Sequence, residues 1–538
     1  MTKQCSQCHQ QFAIDQKDQD YYQRIKVPAP KLCPTCRMQR RLAWRNERTL
    51  FSRQCNLCQK NIIAMYPVDS PYNIICNDCF WSDKWEATKY GQDFDFNRPF
   101  FEQFQEVQLK SPRIALSNLN SENSEYTNMA ADNRNCYLIF AAENNENCMY
   151  GKLVQTCKEC FDCNFIYDSE LCYECINMHN GYHCFYCKDI QDSHECFFSV
   201  DLKGCSNCFL CSNLHNAEYC LENKQYSKEQ YQEIIQKYLP LTNSKIIELK
   251  QKFQEVKNNS IVRSVTQIKS ENCTGDYLKA CQRTYDSFDA TDCLDSRYLN
   301  DALQAKDTYD SCFIYYHPEL CYETMSTLNL NNVQFSVYTY NGSNMQYCDT
   351  VHNSNNNFGC AGMKKQEFCI LNKKYPESEY NKLKARIIAH MLKTKEYGEL
   401  FPVAMCPFKY SETVAQEYFP QQEPTYRKYN GHDGLESSTF PDSIPEVNDD
   451  ILNKTIICEK SGRGFKIQKA ELEFYRTYKL PLPHLHPEER HQARMAQRNP
   501  RKLWHRQCSK CNAKIQTTVA PERKEKLYCE KCYTQILY

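Results

Sequence analysis

The feature that most constrains this chain is a cysteine that returns every twelve residues. Cysteines stand at 136, 148, 160, 172, 184, 196, 208 and 220. Cut at that period, the sequence reads KECFDCNFIYDS (158–169), ELCYECINMHNG (170–181) and YHCFYCKDIQDS (182–193). A short fixed period means stacked coils of chain. Twelve residues are too few for a helical hairpin but enough for two short strands with their turns. The period therefore predicts a narrow β-solenoid, each coil adding ~4.8 Å. Such a coil has little interior room, and cysteine is among the smallest residues that accept full burial. The competing reading is that Cys172, Cys175, Cys184 and Cys187, from adjacent coils, converge on a metal.

The repeat is itself duplicated. At an offset of 149, Ser121-Glu-Asn meets Ser270-Glu-Asn and Glu170-Leu-Cys-Tyr-Glu174 meets Glu319-Leu-Cys-Tyr-Glu323, and Cys163 falls on Cys312 with no gap required. In this register Tyr309 replaces Cys160, Val333 replaces Cys184 and Met345 replaces Cys196, which favours packing over ligation. A second repeat runs at 453: Arg53-Gln-Cys55 meets Arg506-Gln-Cys508, and Cys58, Cys76 and Cys79 meet Cys511, Cys529 and Cys532. The layout is A-B-B′-A′. The fold class expected is mainly β with short helices, zinc ribbons at both ends flanking two tandem solenoid-like domains.

Metal chemistry is written in the ends. Cys5-x-x-Cys8 with Cys33-x-x-Cys36, Cys55-x-x-Cys58 with Cys76-x-x-Cys79, and Cys508-x-x-Cys511 with Cys529-x-x-Cys532 are three closed four-thiolate sets. Two close thiolate pairs across a hairpin give zinc its tetrahedral sulfur shell and leave no open position, so the sites read as structural, about three zinc ions per chain. The 453 offset carries the first set onto Cys458, Ser461, His486 and Glu489. Serine rarely ligates zinc, so this fourth place is expected to be metal-free and held by packing of Leu480-Pro-Leu-Pro-His484.

The formal net charge is zero, but the charges are segregated: 31–60 holds eight Lys/Arg against Glu47 alone, and 121–220 holds five Lys/Arg against fifteen Asp/Glu. Arg37, Arg40, Arg41, Arg45 and Arg48 follow helical spacing after Cys36, and Arg490, Arg494, Arg498, Arg501 and Lys502 answer them near the other end. An arginine face beside a zinc knuckle suits phosphate. The same face also suits plain solvation, or docking onto this chain's own acidic repeats. The aromatics after the ladder cysteines, Tyr137, Phe161, Tyr173, Phe185, Phe197 and Phe209, are set among carboxylates and read as packing against the twin repeat.

These boundaries give paired ribbons with a basic helix at 1–90, an aromatic helix and linker at 91–120, and a first solenoid at 121–225. A helical cap and linker at 226–269 lead to a second solenoid at 270–374, a cap and irregular arm at 375–450, and a degenerate plus an intact ribbon at 451–538. Ser227 is placed as an N-cap of the first cap helix, and Asn97-Arg-Pro99 opens a helix carrying Phe100, Phe101, Phe104 and Val107.

The segments CPTCRMQRRLAWRNER (33–48), DFDFNRPFFEQF (93–104), SENSEYTN (121–128), ELEFYRTYKLPLP (471–483) and RNPRKLW (498–504) resemble a family of multi-zinc-ribbon proteins of small-genome, uncultivated bacteria, over nearly the whole chain. The resemblance implies a cytoplasmic setting and brings with it no activity or substrate to expect. No nucleotide loop, no nucleophile with a base and no open metal site is legible, so the chain reads as a non-enzyme, without a small-molecule substrate or a membrane span. Two functions remain open: contact with structured RNA or a ribonucleoprotein through Arg37, Arg40, Arg41, Arg45, Arg48, Arg490, Arg494, Arg498 and Arg501, or a protein-interaction scaffold in which the basic helices close on the acidic repeats.

Overall fold

From Met129 to Asp201 every third residue has a positive φ, between 48 and 61°. This left-handed region is costly for most L-residues and mildest for Asn and Asp, which fill many of these positions. With a twelve-residue repeat the chain turns at four such corners per coil. In the computed structural model, which describes residues 1–421 and 428–537, the outcome is a parallel ladder in which each residue pairs with the one twelve positions on. Lys152 pairs with Asn164, Asn164 with Ile176, Ile176 with Lys188 and Lys188 with Val200. A second ladder runs through the later repeat, and eleven α-helices accompany the sheets among the described residues, so the chain is mainly β.

The ladder cysteines line the interior as thiols that donate. Cys160 Sγ donates to Lys158 O at 3.3 Å and Ser169 O at 3.5 Å, and Cys172 Sγ to Glu170 O at 3.4 Å. Ser193 does the same on another column: its hydroxyl donates to Gln191 O at 2.7 Å and accepts from Cys205 N at 3.0 Å. The position therefore selects a small side chain with one polar hydrogen. Among the described residues, Cys172, Cys175, Cys184 and Cys187 do not gather into a ligand group.

The second ladder corrects the ungapped alignment. Glu271 bridges to Gln282 and Gln267 to Leu278, an eleven-residue coil. Tyr309 pairs with Tyr322 and Ser311 with Thr324, a thirteen-residue coil. The deletion and insertion cancel, which hid both from a constant offset. Between them the true offset is 148, so Thr308, not Tyr309, stands where Cys160 stands. Thr308 Oγ1 donates to Lys306 O at 2.8 Å and Pro318 O at 3.1 Å, repeating the thiol's bonds. Ser311, not Cys312, answers Cys163, donating to Tyr309 O as Cys163 donates to Phe161 O.

Each ladder ends in a reversed strand, Lys224–Gln225 on Glu218–Leu221 and Lys373–Lys374 on Glu367–Ile370, followed by a helix. Ser227 caps the helix Lys228–Gln236 through a reciprocal pair with Gln230. Helix Glu377–Lys393 follows the second ladder.

The residues form two compact units, each built from separated parts of the chain. One contains Met1–Ser117, Val265–Gln422 and Arg501–Leu503; the other contains Asn118–Ser264, Glu423–Pro500 and Trp504–Tyr538. The N-terminal ribbons thus pack with the second ladder and the C-terminal ribbons with the first. Of the arm, 422–427 lies outside the described residues.

In the first unit, helix Phe100–Lys110 lays Phe100 against the rings of Tyr347 and Phe358 at 5.3 and 5.4 Å. Gly359 makes that approach possible: at φ +64° its absent Cβ would meet the Phe100 ring at 2.8 Å. In the second unit, helix Asn243–Asn259 buries Leu249 and Phe253 with the first ladder's aromatics. Those aromatics pack on their own unit rather than on the twin repeat. Phe161 stacks on Phe474 at 4.1 Å, Phe185 meets Tyr478 at 5.9 Å and Phe209 meets Tyr238 at 4.8 Å. Apolar area buried this way stabilises at roughly 25 cal/mol per Å².

Because Ser296 donates to Leu294 O at 2.8 Å in the place Cys148 holds, donating to Glu146 O, Cys148→Ser should be tolerated. Its expected cost is under ~1.5 kcal/mol by denaturant unfolding, with zinc content unchanged.

Candidate metal centres and the arginine faces

Four ribbon modules share one construction. A two-stranded hairpin carries a knuckle at its turn, and a helix presents its first turn to that knuckle. The hairpins pair Thr2–Gln4 with Gln11–Ala13, Phe51–Gln54 with Asn61–Ala64, Thr455–Ile457 with Gly464–Phe465, and Trp504–Gln507 with Lys514–Thr517. The knuckle is fixed by the backbone. Cys5, Cys55, Cys458 and Cys508 each accept at O from the N–H four residues on, at 2.9–3.0 Å. That residue is left-handed in all four: His9, Gln59, Gly462 and Asn512. The facing helices are Pro34–Leu42, Asn77–Trp81, Pro487–Met495 and Glu530–Leu537.

In three modules the four ligand atoms lie within 4.8 Å of one another: Cys5, Cys8, Cys33 and Cys36; Cys55, Cys58, Cys76 and Cys79; Cys508, Cys511, Cys529 and Cys532. Cys8 and Cys33 are 3.7 Å apart at sulfur, Cys58 and Cys76 3.8 Å, Cys511 and Cys529 3.7 Å. A tetrahedron with bonds of ~2.3 Å to sulfur has edges of ~3.8 Å, so the quartets fit zinc and close around it. All twelve expected ligands are brought together as the spacing required.

The knuckle also prepares the charge. Burial opposes a thiolate at Cys5, yet backbone N–H groups of Cys33, Cys8 and Gln7 outweigh it and bring the pKa from 9.0 to about 6. Cys55 reaches about 6 in the same way, burial being overcome by N–H groups of Cys58, Cys76 and Leu57. At Cys508 burial gives way to Cys529, Cys511 and Lys510, again at about 6. One sulfur per quartet is thus held ready as an anion.

The fourth module keeps Cys458, 1% exposed, without a quartet. His486 Nδ1 accepts from Glu488 N at 3.0 Å, capping its own helix, and Glu489 accepts from Lys460 Nζ at 2.8 Å.

The arginines expected to read phosphate face inward. Arg37, Arg41, Arg45, Arg490, Arg494 and Arg501 are buried, and Arg40, Arg48 and Arg498 are half-buried. Arg37 Nε donates to Asp310 at 2.8 Å, and Arg41 Nη1 reaches both Asp310 at 3.2 Å and Glu323 at 3.1 Å. Arg40 bridges Glu323 and Glu399 at 2.6 and 2.9 Å. Arg45 donates to Glu47 at 2.6 Å, and Arg501 joins Asp289 and Asp301 at 2.8 and 2.6 Å. Arg498 lies 3.5 Å over the Phe165 ring.

In the other unit Arg490 and Arg494 both bind Asp162, Arg494 at 2.8 Å. Burial raises the Asp162 carboxyl even against both guanidiniums, and raises Glu471, which pairs with Arg490 at 3.6 Å. Asp162 and Asp310 are separated by 148, the offset the two irregular coils impose, while Arg37/Arg490 and Arg41/Arg494 are separated by 453. Arg494 Nε reaches Asn164 at 3.4 Å where Arg41 Nε reaches Cys312 at 3.3 Å. The same clamp is therefore built twice. The buried guanidiniums of both faces are thus engaged by carboxylates of their own unit. The clamping carboxylates escaped sequence analysis because they are single acidic residues at left-handed corners, indistinguishable there from turn formers.

Residues 1–45 are similar to the family described as "Probable treble clef domain", so the N-terminal quartet belongs to a treble clef zinc-binding module. No curated protein matches the chain. A solved chain described as a "putative acetyltransferase" from Desulfovibrio desulfuricans G20 is similar over 49% of this chain and 69% of its own, at 9% identity and a TM-score of 0.12. A likeness that slight bears on neither fold nor activity. No helix among the described residues is long and apolar enough to cross a membrane.

Two outcomes are expected. The lowered Cys5, Cys55 and Cys508 values lie below the ordinary 9.0, so their support for the thiolate form is complete above it and lost as pH falls through about 6. Zinc uptake by the metal-free chain should decline with acidification and be lost below that point, followed with a chromogenic chelator. Separately, Asp162→Ala strands two buried guanidiniums and should cost roughly 3–5 kcal/mol, read as faster amide exchange in helix Pro487–Met495.

Proposed function

We propose that this protein is a non-catalytic, cytoplasmic interaction scaffold, in which each ladder is a β-solenoid and zinc sets the treble clef ends that brace it. The observation that carries this reading is the burial of both arginine helices against ladder carboxylates. It supports the scaffold over nucleic-acid contact, since the cations meant for phosphate are already neutralised inside each unit.

The outward columns of the first ladder suggest the partner's chemistry. On one column Glu122, Arg134, Glu146, Lys158 and Glu170 alternate in sign and largely cancel. Another column is exposed and carries Asp132, Asn144, Thr156, Asp168, Asn180 and Asp192 with no lysine or arginine among them. Carboxylates three and two coils apart, roughly 14 and 10 Å at ~4.8 Å per coil, favour a lysine- or arginine-rich protein segment.

The zinc-loaded full chain, freed of nucleic acid, is tested against a lysine-rich peptide and against single-stranded and hairpin RNA at low salt. Binding of the peptide is expected, weakening with salt and falling at least fivefold in an Asp132→Asn, Asp168→Asn, Asp192→Asn variant. Saturable binding of RNA, or peptide binding unmoved by the variant, would overturn the reading.

A further inference from the structure

The fourth ribbon has the backbone of a zinc module and a side-chain set that does not fit zinc. Its knuckle repeats the other three bond for bond: Cys458 N donates to Arg463 O at 2.9 Å and Gly462 N to Cys458 O at 2.9 Å, as Cys5 N donates to Gln10 O and His9 N to Cys5 O. Glu489 stands where Cys36 stands, in the first turn of the facing helix, and is 4% exposed. A carboxylate at such a place needs a cation. Ser461 replaces Cys8, His486 turns its Nδ1 to its own helix, and among the described residues Cys458, His486 and Glu489 do not gather into a ligand group.

We propose that the Lys460 ammonium replaces the metal. Lys460 lies within the knuckle, between Cys458 and Ser461, and from a side chain that is 65% exposed its Nζ reaches the buried Glu489 carboxylate of the facing helix at 2.8 Å, joining knuckle to helix. The third module carries Lys510 at the equivalent position beside an intact quartet. The knuckle thus admits a lysine side chain in either case, and the glutamate is what makes it a partner. The exchange replaces a doubly negative centre, four thiolates around a divalent ion, with a neutral pair of one carboxylate and one ammonium, and the module no longer depends on metal supply or on reduced sulfur.

The inference concerns this module alone and stands whether or not the ladders bind a partner. Its test uses full-length chain and two readouts. In the parent protein, Lys460→Met should lower the thermal midpoint by several degrees, and adding Glu489→Gln should restore most of it, because the buried charge is gone. Replacing Ser461, His486 and Glu489 together by cysteine should raise bound zinc from about three to about four ions per chain by elemental analysis. In that background Lys460→Met should leave the midpoint unchanged. A parent chain that already carries a fourth zinc, a folded triple variant that stays at three, or a Lys460→Met effect that Glu489→Gln does not relieve would each overturn the proposal.

Discussion

Two corner aspartates, Asp162 and Asp310, each hold a pair of guanidiniums out of water, and the placement of the ribbons depends on them. Removing such charges from solvent costs several kcal/mol per ion, and only close, multiply bonded geometry offsets it. A β-ladder can supply that geometry because its corners repeat at fixed spacing, and a left-handed corner is where aspartate is tolerated. An arginine helix can meet it because residues 37 and 41, or 490 and 494, lie one turn apart on one face. Once the guanidiniums are seated, the knuckle that faces the first turn of the same helix is carried into place with them, a thiolate quartet in the module of Arg37 and a metal-free knuckle in that of Arg490.

The chain uses one residue type for two opposite purposes, and hydrogen bonding decides between them. In the knuckles sulfur accepts: Cys33 N donates to Cys5 Sγ at 3.3 Å and Cys529 N to Cys508 Sγ at 3.4 Å. Donors aimed at sulfur favour the thiolate and hence metal. In the ladders sulfur mostly donates, two residues back and nine ahead, to backbone carbonyls, and a few ladder sulfurs, Cys148 and Cys211 among them, also accept from a backbone N–H. Burial pushes Cys321 and Cys348 up to about 12. The abundance of cysteine therefore does not reflect abundant metal.

Spacing made the zinc quartets legible, because four ligands about one ion constrain sequence distance tightly. The twelve-residue period was legible for the same reason: a ladder interior repeats its steric demand at every coil. The arginine helices were legible as helices, but their destination was not. Docking depends on which face of a distant ladder holds a lone acid, and Asp162 sits among many others that are exposed. The equivalence of Asp162 and Asp310 was further obscured by the eleven- and thirteen-residue coils, whose lengths compensate in a constant alignment. The aromatic column was read as buried, but its cover, Phe474 and Tyr478, comes from more than two hundred and fifty residues downstream and leaves no local periodic trace.

What the two copies share argues for what the molecule requires. The ladders differ at many interior positions, with Thr308 for Cys160 and Ser311 for Cys163, and the ribbons differ by an entire metal site. The clamp is the same in both: two arginines one helical turn apart, one corner aspartate, and a polar contact from the second arginine's Nε to the residue two beyond that aspartate, Cys312 or Asn164. Thiol and hydroxyl exchange freely because each satisfies a carbonyl, and metal and ammonium can exchange because each satisfies a carboxylate or thiolate. No such substitute exists for a guanidinium buried with its carboxylate, since lysine lacks the fork and a neutral residue strands the partner. The interface between ribbon and ladder, rather than either part, is therefore the least replaceable feature of each unit, and it is built from buried guanidinium–carboxylate pairs.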